Sequence, residues 1–205
     1  MALVYESKVP NSYRNDFVKK VREVSNRLDI NPNWLMAIMY SESARTFSPS
    51  IQNSIGATGL IQFMPSTAKG LGTTTTELKN MSAVEQLDYV EKYLNVYKNK
   101  LKSYLDTYFA IFFPLAIGKP DDWVLQGAGL SSSLIANQNK MFNPNKDGKI
   151  QVWEVKKVML EKLPTEWVND GSFSLAIKSY KGYLTVGLLL IAIGGLYIYK
   201  NVRRK

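Results

Sequence analysis

Two neighbouring segments decide the fold: Trp34-Leu35-Met36-Ala37-Ile38-Met39-Tyr40-Ser41-Glu42-Ser43, and Gly56-Ala57-Thr58-Gly59-Leu60-Ile61-Gln62-Phe63-Met64-Pro65-Ser66-Thr67-Ala68. The first has the apolar spacing of a helix, and Asn31-Pro32 before it reads as a cap followed by a first-turn proline. The second is a glycine-built turn whose Pro65 opens a short helix, stopped by Gly70 and Gly72. Glu42 stands between them with no Asp or Glu from position 43 to position 76. A lone carboxyl between an apolar helix and such a turn is a candidate acid with a raised pKa.

Outward from this stretch the chain continues to read as helices. Residues 1–10 form a short irregular arm. Residues 11–29 carry Phe17, Val18, Val21, Val24 and Leu28 at helical spacing. Ser82-Ala83-Val84-Glu85 is a capping-box pattern, and it opens a long helix with Val84, Leu87, Val90, Leu94, Tyr97 and Leu101 in one stripe. Residues 104–118 are densely apolar, with Asp106 inside and Pro114 near the end, which predicts a buried core helix and not a membrane span. A last helix covers about 151–163. No alternating strand pattern and no internal repeat is present, so the soluble part is all-α.

Composition narrows the chemistry. The 205 residues, 45% hydrophobic, fill one globular domain and a little more. There is no Cys and no His, which removes disulfides, thiolate and imidazole catalysis and the commonest zinc ligands. Carboxylates are the acid-base groups that remain near neutral pH. The net charge is +9, and residues 171–205 hold six Lys or Arg and no acid. Residues 1–170 therefore carry 20 basic against 17 acidic residues, or +3. Most of the excess lies in the tail, so the expected partner is a membrane and not nucleic acid.

Glu42-Ser43 followed by Ser54-Ile-Gly-Ala-Thr-Gly-Leu-Ile-Gln-Phe-Met-Pro-Ser-Thr-Ala68 resembles the lytic transglycosylase (SLT) domain family, whose fold is related to goose-type lysozyme. The resemblance spans roughly residues 30–125 and implies a lysozyme-like helical domain over 1–163 that acts on peptidoglycan glycan strands. Glycoside cleavage ordinarily uses two carboxyl groups, and this segment offers one. Read from the residues, Asp106, Asp121 or Asp122 folds back as a partner, the substrate supplies the nucleophile, or Glu42 is structural. In the resembled family a single Glu protonates the bond between N-acetylmuramic acid and N-acetylglucosamine. It then acts as base on the C6 hydroxyl of the same muramoyl sugar, leaving a 1,6-anhydro product. The resemblance implies Glu42 as the catalytic residue, with Ser43, Ser54, Gly59, Gln62 and Tyr108 around the substrate. Ile61 replaces the family's usual Met. The family's Ala-Tyr-Asn-Ala-Gly motif is absent: the segment reads Tyr108-Phe-Ala-Ile-Phe-Phe-Pro-Leu-Ala-Ile-Gly-Lys-Pro120, which looks like a phage-type variant. A hydrolytic lysozyme and a non-catalytic glycan-binding virion protein are the competing readings.

A second motif lies downstream. Asn143-Pro144-Asn145-Lys146-Asp147-Gly148-Lys149-Ile150-Gln151-Val152-Trp153-Glu154 fits the 12-residue EF-hand loop, with Asn143, Asn145 and Asp147 at its first, third and fifth positions. Gly148 is sixth, Lys149 seventh, Ile150 eighth, Gln151 ninth and Glu154 twelfth. The reading is a structural calcium site of low affinity, because only Asp147 and Glu154 bring negative charge while Lys146 and Lys149 sit beside them. Catalysis needs no cofactor. The competing reading is an Asn-rich turn that binds nothing.

Residues 164–181 read as a linker. Gly182 to Tyr199 is an 18-residue run without a charge, flanked by Tyr183, Tyr197 and Tyr199 and followed by the basic tail 200–205. This is the pattern of a single C-terminal transmembrane helix with interfacial tyrosines. The four basic residues after the run, against Lys178 and Lys181 before it, place the C-terminus on the cytoplasmic side. The N-terminus lacks the basic and apolar regions of a signal peptide. Two locations are expected: the membrane of a lipid-containing virus particle, in company with other virion proteins, or the bacterial inner membrane with the enzyme facing the wall.

Overall fold

The computed structural model describes residues 1–127, 129–169 and 173. Among them are nine α-helices and no strand: α1 (Arg14–Leu28), α2 (Pro32–Glu42), α3 (Pro65–Gly70), α4 (Thr75–Asn80), α5 (Ala83–Asn95), α6 (Tyr104–Phe112), α7 (Ser132–Gln138), α8 (Val152–Glu161) and α9 (Thr165–Asn169). The expectation of an all-α domain holds for these residues. The 182–199 run lies outside them. No helix of the described residues is long and apolar enough to cross a membrane.

The centre is α2. Leu35, Met36, Ala37, Ile38 and Met39 are all buried, so this helix is apolar all round, as a helix enclosed by others must be. Its start is fixed by Asn31, whose Oδ1 accepts from the Asn33 amide at 2.9 Å, and by Pro32 in the first turn. Helix α1 packs on α2 and α5, and α6 packs on both α2 and α5. Phe17, Val21, Val24 and Leu28 form the buried face of α1. Full burial of one such side chain is worth about 1.5–3 kcal/mol.

Several boundaries differ from the sequence reading. Helix α5 stops at Asn95 and the chain tightens into a 3-10 turn at Lys98–Lys100. Leu101 is buried, but beyond the helix and not on its stripe. The 104–118 segment is not one helix. Pro114 disfavours α geometry at the residue before it, so Phe113 leaves the helix at φ −154° and ψ 83° and a 3-10 turn follows at Pro114–Ala116. The N-terminal arm is irregular yet part of the core: Leu3, Val4 and Val9 are buried. The Val4 amide donates to Asn33 Oδ1 at 2.9 Å, and Tyr5 stacks on Tyr40 with centroids 4.0 Å apart. Helical packing also runs past residue 163 into the expected linker. Trp167 and Val168 of α9 pack on the core, and Phe173 sits edge-on to Tyr104 at 5.0 Å.

Candidate active site

Glu42 is the last residue of α2, and the chain turns sharply after it. Ala44, Arg45 and Phe47 have φ of 50°, 67° and 55°, in the left-handed region that non-glycine residues occupy at a cost of order 1–3 kcal/mol each. Packing maintains this turn. The Phe47 ring is fully buried against Phe17 (5.6 Å) and Tyr40 (5.4 Å). The Phe47 amide donates to Ser43 Oγ at 2.8 Å, and Thr46 Oγ1 donates to the Ser43 carbonyl at 2.6 Å. Ser43, expected beside the substrate, is therefore a buried brace of the turn that carries Glu42.

The glycine-built segment closes opposite. Thr58 and Phe63 exchange both backbone hydrogen bonds, at 3.0 and 2.9 Å, and the Gln62 amide donates to the Gly59 carbonyl at 3.2 Å. Gly59 has φ +82°, and a Cβ there would lie 2.2 Å from Gln86 Oε1. That oxygen accepts from the Leu60 amide at 2.6 Å, while Gln86 Nε2 donates to the carbonyls of Pro49 (3.1 Å) and Leu78 (2.9 Å). Gly59 thus makes room for a buried amide that ties the turn to α5, and it is not among the residues that line the cleft. Gln86 was missed from sequence. Its signal was a polar residue on the apolar face of α5, beside Leu87 and Val90.

A cleft of about 330 Å³ lies between these segments, lined by Glu42, Asn53, Ala57, Ile61, Gln62, Met64, Tyr108, Ile111, Phe112, Phe113, Leu130, Ile135, Gln138 and Asn139. Glu42, Gln62 and Tyr108 are brought together as expected. Ser54 is exposed outside the lining, where Asn53 takes its place. The wall built by Leu130 and α7 was not anticipated, because its four lining residues match no motif.

Among the described residues, Glu42 is the only carboxyl group that lines the cleft. The Asp106 carboxylate accepts from Ser103, the N-cap of α6, Asp121 pairs with Lys156, and neither these nor Asp122 line the cleft. Burial pushes the Glu42 pKa up to about 7, against a lowering influence from Lys162. Tyr108, 3% exposed, is driven well above the usual tyrosine range by burial and then by the Glu42 charge. The arrangement is a mostly apolar cleft with a few convergent polar groups, holding one acid with a pKa near neutrality.

The EF-like loop lies apart from this cleft. Its residues are described, and among the described residues no three His, Cys, Asp or Glu side chains come together to hold a metal ion. No curated protein and no solved structure matches the chain. The family model described as Transglycosylase SLT domain matches residues 19–113, which contain Glu42, the turn of Gly59 and Gln62, and Tyr108. Residues 19–113 are thus similar to a transglycosylase SLT domain, a family that comprises lytic transglycosylases acting on peptidoglycan.

Proposed function

We propose that this enzyme cleaves the β-1,4 bond between N-acetylmuramic acid and N-acetylglucosamine with Glu42 as its one acid-base residue, releasing a 1,6-anhydromuramoyl product. The observation that carries this reading is a cleft lined, among the described residues, by a single carboxyl group whose pKa is pushed up to about 7. Near neutral pH such a group is protonated often enough to donate to the glycosidic oxygen. Once ionised it is basic enough to take the proton of the C6 hydroxyl, which attacks C1 of the same sugar. The atoms balance without water: the C1–O bond breaks, the C1–O6 bond forms, and the proton of O6 ends on Glu42. A hydrolytic enzyme ordinarily uses a second carboxyl group to activate water or to form a covalent intermediate. Mass analysis of muropeptides tests the reading. Anhydro products are about 18 Da lighter than hydrolysis products, since no water is added. Reducing ends alone would make this a lysozyme.

We further propose that residues 182–199 anchor the enzyme in a membrane with its C-terminus on the cytoplasmic side, in a lipid-containing virus particle where it serves cell-wall penetration. Support comes from the uncharged run, its tyrosines and the basic tail, and from the phage-like 108–120 segment. Fractionation tests it: the protein should copurify with particles and leave them with detergent. Recovery only from uninfected cell envelopes, or in the soluble fraction with the tail intact, would refute it.

A further inference from the structure

The loop at 143–154 has two buried oxygens without partners. Glu154 is 2% exposed; its Oε2 accepts from the Gln151 amide at 2.8 Å, while its Oε1 is buried with no hydrogen-bond partner among the described residues. Asn143 Oδ1, eleven residues earlier, is likewise buried and without a partner. These are the twelfth and first positions of the EF-hand pattern, which in a loaded loop both face the ion. A buried carboxylate oxygen with no donor costs free energy, and a cation between these positions removes that cost.

The backbone has the form such a loop needs. Gly148 at the sixth position has φ +79°. The Lys149 amide donates to Asp147 Oδ1 at 2.9 Å and the Asp147 amide to Asn145 Oδ1 at 3.3 Å, so the amide of the third position and the carboxylate of the fifth fold back on the loop's own backbone. Ile150, at the eighth position, is buried, and its carbonyl accepts from the Leu125 amide at 2.8 Å. Where EF-hands pair with a second loop, this one pairs with the strand-like segment 123–125. Val152 donates to the Trp123 carbonyl at 3.0 Å.

We propose that residues 143–154 bind one calcium ion, through side-chain oxygens of Asn143, Asn145, Asp147 and Glu154 and the Lys149 carbonyl. Gln151 is a poor direct ligand, because its Oε1 accepts from Trp153 Nε1 at 2.8 Å and its Nε2 donates to the Asp122 carbonyl at 3.0 Å; the ninth position is often filled through water. With two carboxylates and the exposed Lys146 and Lys149 nearby, the dissociation constant belongs in the weak range, about 10⁻⁴–10⁻³ M. The ion is structural and acts on the cleft. Phe142, directly before the loop, packs on Phe112 (4.9 Å) and Tyr108 (6.3 Å), both cleft residues. Glu154 stands in the first turn of α8. Calcium therefore fastens the cleft wall to α8.

Terbium, a luminescent calcium mimic excited through the neighbouring Trp153, and thermal melting of the full chain test this. Terbium emission should saturate and be displaced by calcium. The melting temperature should rise by about 3–6 °C at a tenfold excess of calcium over its dissociation constant, relative to chelator. Asp147→Asn and Glu154→Gln should each abolish both effects. In chelator Glu154→Gln should melt no lower than the parent, because the amide oxygen keeps the Gln151 bond and a buried charge is gone. If Glu154→Gln fails to fold, Asp147→Asn, at an exposed position, decides alone. Absence of terbium emission and of any melting shift at about 10 mM calcium, ten times the weak end of the range, would overturn the proposal. So would effects that survive Asp147→Asn.

Discussion

Lys162 reaches the helix that ends in Glu42 from the far end of the described chain: its Nζ lies 3.0 Å from Ser41 Oγ, and its charge pulls the Glu42 pKa down against the larger effect of burial. The C-cap of α8 thereby tunes an acid that belongs to the 19–113 domain, although Lys162 lies outside that match. Tyr5 holds it there, its hydroxyl donating to the Lys162 carbonyl at 2.5 Å.

Glu42→Gln should abolish muralytic activity, by about 10²–10⁴-fold, since Gln keeps the shape but neither donates nor retrieves a proton. The same variant should be more stable than the parent at pH 8. The folded pKa of Glu42 is raised to about 7, so the stability linked to its protonation is present at acid pH and lost as pH rises through 7. Gln escapes that loss, which is on the order of 1–3 kcal/mol. Melting curves at pH 4 and pH 8 check this: the gap should open only at pH 8. A gap of equal size at both would mean that Glu42 is not desolvated.

The alkaline limb of kcat/KM should fall above about pH 7, as protonated Glu42 is lost. Lys162→Met should move that limb to higher pH, because the cation that favours the carboxylate is gone. Profiles from pH 5 to 9 suffice. An unmoved limb with reduced activity would give Lys162 a packing role only.

Gly59→Ala should destabilise the domain without touching any reacting group. The left-handed backbone costs a side chain about 1–2 kcal/mol. The clash with Gln86 Oε1 at 2.2 Å adds overpacking of about 1–3 kcal/mol. Denaturant midpoints measure it. Gln86→Ala in the same background should relieve part of the clash, so the two substitutions should be less than additive.

Asn139→Ala and Gln138→Ala probe the wall that the α7 segment adds to the cleft. Side chains that only position the glycan should raise KM and leave kcat nearly unchanged. Steady-state kinetics on isolated glycan strands separate this from a catalytic effect, which would lower kcat.

The sequence by itself determined what is local. Helical spacing, the Asn31-Pro32 start of α2 and the Ser82–Glu85 capping box depend on residues within a few positions of one another, so they were legible in one dimension. Glu42 was legible too, because a long acid-free interval and a glycine-built turn are adjacent in the chain. The tertiary structure decided what depends on distant residues meeting. It made Ser43 and Gly59 into braces, since Phe47 and Gln86 arrive there through packing. It excluded Asp106, Asp121 and Asp122 from the cleft, brought Leu130 and α7 in as a wall, and carried Lys162 to Glu42. No spacing rule reports such encounters, because they follow from how the apolar faces of α1, α2, α5, α6 and α8 are buried together.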